Sequence, residues 1–321
     1  MAGKRLRVGV VMDPIESINP KKDSTLAMLL EAARRGAEIH YMQQSDLRLR
    51  WGEAFASTRT ITVRDDLERW FRFEGEHEGP LGELDVVLMR KDPPFDLEYI
   101  YTTYILERAE EAGALVVNRA QSLRRLNEKA YTAWFPECTP PTLITRSMDE
   151  IRAFLAEHGQ IVVKPLDSMG GRSIFVVARG DKNTNVIVET LTDNGRRFTM
   201  AQVYIPEITE GDKRILLVDG EPVPYALARV PAADDFRGNL VMGARGEGRE
   251  LTERDRYICS RVGPALREHG VLFAGLDVIG DYLTEINVTS PTGIRELDRQ
   301  FGLNIAGLLF DAIEAHLGSR A

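Results

Sequence analysis

Cysteine is almost missing from this chain: Cys138 and Cys259 are the two in 321 residues. Two cysteines so far apart make neither a disulfide framework nor a Cys/His zinc spacing, so a reducing, cytoplasmic setting is expected. The five histidines are scattered, with no His-x-x-x-His pair to hold zinc. No apolar run approaches the ~20 residues that span a bilayer, so no membrane partner is expected. The apolar run within Met1 to Met12 is too short for a signal-peptide core and meets Asp13-Pro14 at once, so it reads as a first strand. Surplus positive charge is missing too. A net charge of −8 argues against a general nucleic-acid binder. The commoner catalytic signatures are also missing. There is no Gly-x-Ser-x-Gly elbow, no Gly-x-x-x-x-Gly-Lys-Ser/Thr loop, and no Gly-x-Gly-x-x-Gly after a strand. Cys138, beside Pro140-Pro141 and without a nearby base, reads as structural rather than nucleophilic.

What is present is ordinary globular composition, 43% hydrophobic and 28% charged, in a chain long enough for two or three domains. Leu6 to Met12 reads as a buried strand. A helix capped by Asp23 or Ser24 follows, with Leu26, Leu29, Leu30 and Ala33 facing inward, and then a strand at Glu38 to Tyr41. The pattern returns as a strand at Asp85 to Met89, a helix over about Glu98 to Ala112, and a strand at Leu115 to Val117. Such alternation predicts a doubly wound parallel sheet over residues 1–124, with ligands beyond the carboxyl ends of its strands. Two polar segments stand there: Asp13 to Ser24, and Arg90 to Asp96. Residues 51–84 give no clear element.

Ser147-Met-Asp-Glu150 reads as a capping box opening a helix, ahead of a strand at Ile161 to Lys164, a Gly170-Gly171 hairpin, and a strand from Ser173 to Val177. The last third carries strands near Arg214 to Val218 and Pro224 to Arg229, with helices at about Glu253 to Glu268 and Asn304 to Leu317. Ala232 to Arg249, rich in glycine and arginine, reads as a long mobile loop.

Three constellations could carry chemistry. Asp277-Val-Ile-Gly-Asp-Tyr-Leu-Thr-Glu285-Ile-Asn287 reads as a hairpin in which Glu285 and Asn287 share a face. A three-residue loop at Gly280 to Tyr282 sets Asp277 opposite Glu285 and gathers oxygen donors suited to Mg²⁺. A two-residue turn at Gly280-Asp281 sends Asp277 to the other face and leaves an ordinary acidic hairpin. Lys164 ends a strand just before Ser168 to Gly171, where loop amides and a lysine suit phosphate; the alternative is a plain hairpin turn. Asp212, Lys213 and Arg214 precede a strand, Arg229 ends another, and Arg237 and Arg245 lie in the mobile loop; the guanidinium groups could converge on carboxylates or phosphates, while each alone reads as a surface charge. Lys129 by itself reads as a solvated helix residue.

Together these residues resemble the ATP-grasp ligases. Val11-Met-Asp-Pro14, Met89-Arg-Lys-Asp-Pro-Pro-Phe-Asp96, Lys164-Pro-Leu-Asp-Ser-Met-Gly-Gly171, Val218-Asp-Gly-Glu-Pro-Val-Pro224 and Thr284-Glu-Ile-Asn-Val-Thr-Ser-Pro-Thr292 resemble, more closely, the bacterial glutathione synthetase family. The resemblance runs from the first strand to the last helix. It implies a mixed α/β and α+β fold: a Rossmann-like N-terminal domain (1–124), an ATP-grasp lid (125–205) and a C-terminal grasp domain (206–321). It implies ATP, γ-glutamylcysteine and glycine as substrates, two Mg²⁺ ions (Mn²⁺ as a substitute) and a homotetramer. By position, Lys129, Lys164, Ser168, Gly170, Gly171 and Asp212 match the phosphate and nucleotide contacts, and Gln202, Val203, Tyr204 and Ile205 the adenine segment. Asp277, Glu285 and Asn287 match the metal ligands. Arg214, Arg229 and Arg237 match the catalytic and substrate-lining arginines, and Ser290 and Thr292 the substrate loop. Ser168 stands where the resemblance leads one to expect glycine, and Gly293 where it leads one to expect cysteine. The same features leave open a different ATP-grasp carboxylate–amine ligase, or a nucleotide-binding module without catalysis.

Overall fold

The computed structural model describes residues 5–167, 173–230 and 245–319. Three sheets account for most of it.

The first sheet joins β1 (Arg7–Val11), β2 (Glu38–Met42), β3 (Leu47–Arg50), β4 (Glu53–Val63), β5 (Phe71–Pro80), β6 (Val86–Met89) and β7 (Leu115–Val117). Its parallel part runs β2-β1-β6-β7, and Val8, Val10, Val86 and Leu88 are sealed from water on both sides of the β1–β6 seam. That burial explains why these strands read as unbroken apolar runs. Helix α1 (Ser24–Arg34) starts where the Asp23 side chain accepts from the Leu26 amide. Met28 and Ala32 take the inner face beside Leu29, while Ala33, expected inside, is exposed. Helices α2 (Leu97–Glu111) and α3 (Ala120–Arg125) complete this part. Residues 51–84, which gave no clear reading, form a long antiparallel ribbon, β4 with β5, added to β2. In β5 nearly every residue is at least partly exposed, so no period-two pattern survives there.

The second sheet is antiparallel: β8 (Thr142–Thr145), β9 (Gln160–Pro165), β10 (Phe175–Ala178) and β11 (Thr199–Val203), in the order β10-β9-β11-β8. Helices α4 (Met148–His158) and α5 (Thr184–Thr192) cover it. Its core is its own: Ile151, Leu155, Ile161, Val163, Val177, Val188, Leu191 and Ala201. Ser147 accepts from the Glu150 amide, but the reciprocal half of the expected capping box is not made. The Glu150 carboxylate accepts from the Thr145 hydroxyl instead.

The third sheet runs β14-β13-β12-β15-β16, from β12 (Asp212–Val218), β13 (Glu221–Val230), β14 (Arg245–Glu250), β15 (Phe273–Ile279) and β16 (Tyr282–Asn287). Helices α6 (Glu253–Glu268), α7 (Ile294–Phe301) and α8 (Ile305–Gly318) pack on it. β14 corrects the reading of 232–249 as one loop. Its residues pair with β13, and Gly248 is where the Phe301 ring presses closest, within 2.1 Å of the position a Cβ would take. The glycines that read as a loop are thus partly a packing requirement. The rest of that stretch, with Arg237, lies outside the described residues, as do Ser168, Gly170 and Gly171.

The first and third sheets share one core, in which Val8, Val10, Leu29, Leu88, Leu216, Phe273, Leu309 and Phe310 belong to the same cluster. Polar bonds cross the same boundary. Asn118 donates to the carbonyls of Phe273 (2.7 Å) and Val288 (2.6 Å) and accepts from the Phe273 amide. The Ser24 hydroxyl accepts from the Gly293 and Ile294 amides at the start of α7. Leu126, Tyr131, Phe135 and Cys138 pack with the third sheet, not with the second.

Candidate functional site: a buried charge cluster on the third sheet

The acidic hairpin settles its own ambiguity in an unexpected way. Its turn has two residues, Gly280-Asp281, because Ile279 pairs with Tyr282. Yet Asp277 still sits opposite Glu285. One extra residue in β16, Thr284, bulges between the Leu283 and Glu285 pairings and donates its hydroxyl to the Asp277 carbonyl at 3.0 Å. The bulge therefore restores the register that the short turn would have lost. Asn287 pairs with Gly275 on the same face and donates its amide to the Gly275 carbonyl at 3.3 Å.

The arginines converge on this face. Arg214, opposite Asp277 on the neighbouring strand, grips both of its carboxylate oxygens, the second at 2.9 Å. Arg229 reaches Asp277 at 2.8 Å and also bonds Asp212. Burial alone would raise Asp277, but Arg214 and Arg229 together hold it well below the usual carboxylate range. Asp212 goes the other way: burial pushes it up to about 7 against the pull of Arg229, with Asp277 and Glu285 adding their repulsion. One oxygen of Asp212 and the Nε of Arg229 are buried without a hydrogen-bond partner among the described residues. Lys213, one residue on, points to the opposite side and pairs with Asp255 in α6, so it is structural.

The two lysines approach from elsewhere. Lys129 is 1% exposed, which overturns its reading as a solvated helix residue: it precedes a short 3₁₀ turn at Ala130–Trp134. Its ammonium bonds Glu128 and lies 3.6 Å from Glu285. Glu128 escaped sequence reasoning because an acid next to a lysine looks like surface. In the fold, burial and then the nearby Glu285 raise its carboxyl. Lys164, the last residue but one of β9 in the second sheet, is 5% exposed, and burial lowers its ammonium while Glu285 opposes the shift. Gln202, buried, bonds the Thr142 hydroxyl at 3.0 Å, and Val203, Tyr204 and Ile205 carry the chain from the second sheet towards the third. Ser290 is buried and Thr292 exposed in the loop after β16.

Among the described residues, no group of three or more His, Cys, Asp or Glu side chains is gathered as a metal cluster. Asp277, Glu285 and Asn287 include only two carboxylates, and both oxygens of Asp277 are turned onto arginines. The donor set is nonetheless hard oxygen, two carboxylates and an amide on one face. That fits a divalent cation completed by substrate phosphates rather than one caged by protein.

The family model for the prokaryotic glutathione synthetase N-terminal domain matches residues 6–124, and the one for the ATP-grasp domain of the same enzymes matches residues 128–302. The chain belongs to the prokaryotic glutathione synthetases. The glutathione synthetase of Escherichia coli (strain K12) is 60% identical over 312 residues, covering 97% of this chain and 99% of that one. The Vibrio cholerae serotype O1 glutathione synthetase is 58% identical over 316 residues, covering 98% and 99%. Among solved structures, D-cycloserine synthetase DcsG superposes with a TM-score of 0.68 at 15% identity, covering 97% of this chain and 99% of that one. The ATP-grasp ligase PsnB, with precursor peptide PsnA2 and AMPPNP, gives 0.61 at 17%, covering 97% and 98%. At those identities the likeness shows the ATP-grasp fold alone. Family membership makes the chain an ATP-dependent ligase of glutathione synthesis.

Proposed function

We propose that the chain joins γ-glutamylcysteine to glycine, converting ATP to ADP and phosphate, through an acyl phosphate. The cysteinyl carboxylate attacks the γ-phosphate of ATP, and the glycine amine then displaces phosphate from the activated carbonyl. Mg²⁺, or Mn²⁺ in its place, neutralises charge on the triphosphate when bound, and Asp277, Glu285 and Asn287 would hold it. Lys129 and Lys164, with Ser168, Gly170 and Gly171, meet the phosphates, while Gln202 to Ile205 and Asp212 meet the rest of the nucleotide. Arg214, Arg229 and Arg237 orient the carboxylate and steady the oxyanion, and Ser290 and Thr292 border the donor. No side-chain nucleophile enters this scheme. The reading includes three domains, 1–124, 125–205 and 206–321, a cytoplasmic location and a homotetramer.

The buried, unevenly satisfied charge cluster supports this reading most. Arg214 and Arg229 are held over Asp277 and Arg229 also bonds Asp212; among the described residues the Arg229 Nε and one Asp212 oxygen have no partner. A buried donor without a partner is costly, and a reacting carboxylate or phosphate would accept from the Arg229 Nε. The test is ADP release and product analysis with γ-glutamylcysteine, with and without glycine, against alanine pairs. Glutathione and ADP in equal amounts are expected. ADP release that ignores γ-glutamylcysteine, or a dialanine product, would overturn it.

A further inference from the structure

Asn127, Glu128 and Lys129 lie where the second sheet meets the rest of the molecule. The Glu128 carbonyl accepts from the Ile286 amide at 2.8 Å, so the segment is fastened to β16 one residue past Glu285. The Tyr131 amide donates to the Asn127 carbonyl at 3.0 Å and closes the turn that carries Lys129. Leu126 and Tyr131, on either side, sit in the core under the third sheet. By backbone and by packing the segment belongs to the third sheet.

The Asn127 side chain reaches both ways. Its oxygen accepts from the Lys129 amide (3.1 Å) and the Ala130 amide (2.9 Å). Asparagine suits this because its short amide can bond the backbone two and three residues on. Its nitrogen donates to the Leu166 carbonyl at 3.0 Å. Two N–H groups face one end of the amide and a carbonyl faces the other, which fixes which end is oxygen and which is nitrogen. Leu166 is the first residue after β9 and stands two past Lys164, as Lys129 stands two past Asn127. One planar group thus ties two points that each lie two residues, ~7 Å at full extension, from a lysine.

This tie meets an electrostatic difficulty. Both ammonium groups are buried, and they lie within electrostatic reach of each other as well as of Glu285. Like charges push apart, and the second sheet keeps its apolar side chains in a core of its own, so interlocked packing does not set their distance. A polar tie beside them can.

We propose that Asn127 is a positioning residue for the two lysines: its amide fixes the end of β9 against the Lys129 turn and so sets the spacing at which both ammonium groups meet the nucleotide phosphates. The proposal rests on the ligase reading above and deepens it. Asn127 acts through the lysines. Capping the turn needs only an oxygen, which serine supplies; the bond to Leu166 needs the amide nitrogen.

The experiment compares the parent chain, Asn127→Ser and Asn127→Ala by the Kd for ATP with Mg²⁺, the Kd for AMP, and steady-state kinetics. Serine keeps an oxygen for the Lys129 turn and loses the reach to Leu166; alanine loses both. Asn127→Ser should weaken ATP binding ~5-fold, the worth of one hydrogen bond, because a tie can lend binding no more than its own free energy. AMP, which lacks the outer phosphates, should bind as it does to the parent. The KM for ATP should rise with the KM for γ-glutamylcysteine held. Hydrogen exchange should quicken at the Lys164 and Leu166 amides and stay as in the parent at Lys129 and Ala130. Parent-like ATP binding in Asn127→Ser makes Asn127 a turn cap and overturns the proposal, and so does equal weakening of ATP and AMP. If Asn127→Ser does not fold, Asn127→Thr gives the same readings. A parent chain that makes no glutathione removes the ligase reading itself; an active parent with an unaltered Asn127→Ser removes only the role of this residue.

Discussion

The body formed by the first and third sheets and the smaller second sheet are held together by different means. The body has one shared core and a band of buried polar bonds through Asn118, Ser24 and Arg90. The second sheet keeps its apolar side chains to itself. What ties it to the body near the site is slight, for instance Asn127 donating to the Leu166 carbonyl at 3.0 Å. The acids and arginines stand on the body, and Lys164 stands on the second sheet, within electrostatic reach of Glu285. The site's charges are therefore drawn from two separately cored parts, and in the proposed function a polyanion between them would supply what direct packing does not.

The largest effects should break the comparison in two places. Leu309→Ala in the shared core and Ile161→Ala in the second core each remove a fully buried side chain, at about 2–5 kcal/mol. Hydrogen exchange should show Leu309→Ala loosening the first and third sheets together, and Ile161→Ala loosening only β8 to β11. Equal loosening everywhere would make the chain one cooperative unit. Next comes Glu285→Gln, which removes a carboxylate from the body's side of the site. Turnover should fall on the order of 10²–10³-fold with the melting temperature kept; near-normal turnover would remove Glu285 from the chemistry. Lys164→Ala acts from the other side and should cost about 1.5–3 kcal/mol in nucleotide binding, read as a raised Kd for ATP.

The smallest effect sharpens the description of the body. Glu31 in α1 is bonded by Arg34 and Arg35, and Arg35 continues to Asp311 and Glu314 in α8. The Arg34 hydrogen bond, with Arg35 and Asn304 helping against burial, lowers Glu31 to about 2 from its usual 4.5. An acid with a lowered folded-state pKa stabilises above 4.5 and loses that contribution as pH falls towards 2. Glu31→Gln should flatten the melting curve's pH dependence across that window, by about 1 kcal/mol.

Much of this was legible where burial and periodicity agree. The β1–α1–β2 unit, β6–α2–β7 and α6 announce themselves through apolar runs and caps, and their observed bounds are close to those read from the residues. Helix α5 went unread because Val186, Ile187 and Val188 look like a strand. The β4–β5 ribbon went unread because it is mostly wet. At the site, the Asp277–Glu285 register depended on a bulge at Thr284 that no turn rule specifies. Lys129 and Glu128 look like surface charges until the third sheet closes over them. Arg90 could be placed at a strand end, but its bond to Pro291, 201 positions away, is a property of the fold alone.

The most direct test of a site assembled across two separately cored parts is a double-mutant cycle between Lys164 and Glu285. It is read as ATP affinity by calorimetry in the presence of Mg²⁺, on the parent, Lys164→Ala, Glu285→Gln and the double variant. The account predicts non-additivity of about 0.5–3 kcal/mol, because one bound triphosphate makes the two residues neighbours. Strict additivity, with each single variant still weakening binding, would mean that the second sheet and the body act on the nucleotide independently, and would contradict it.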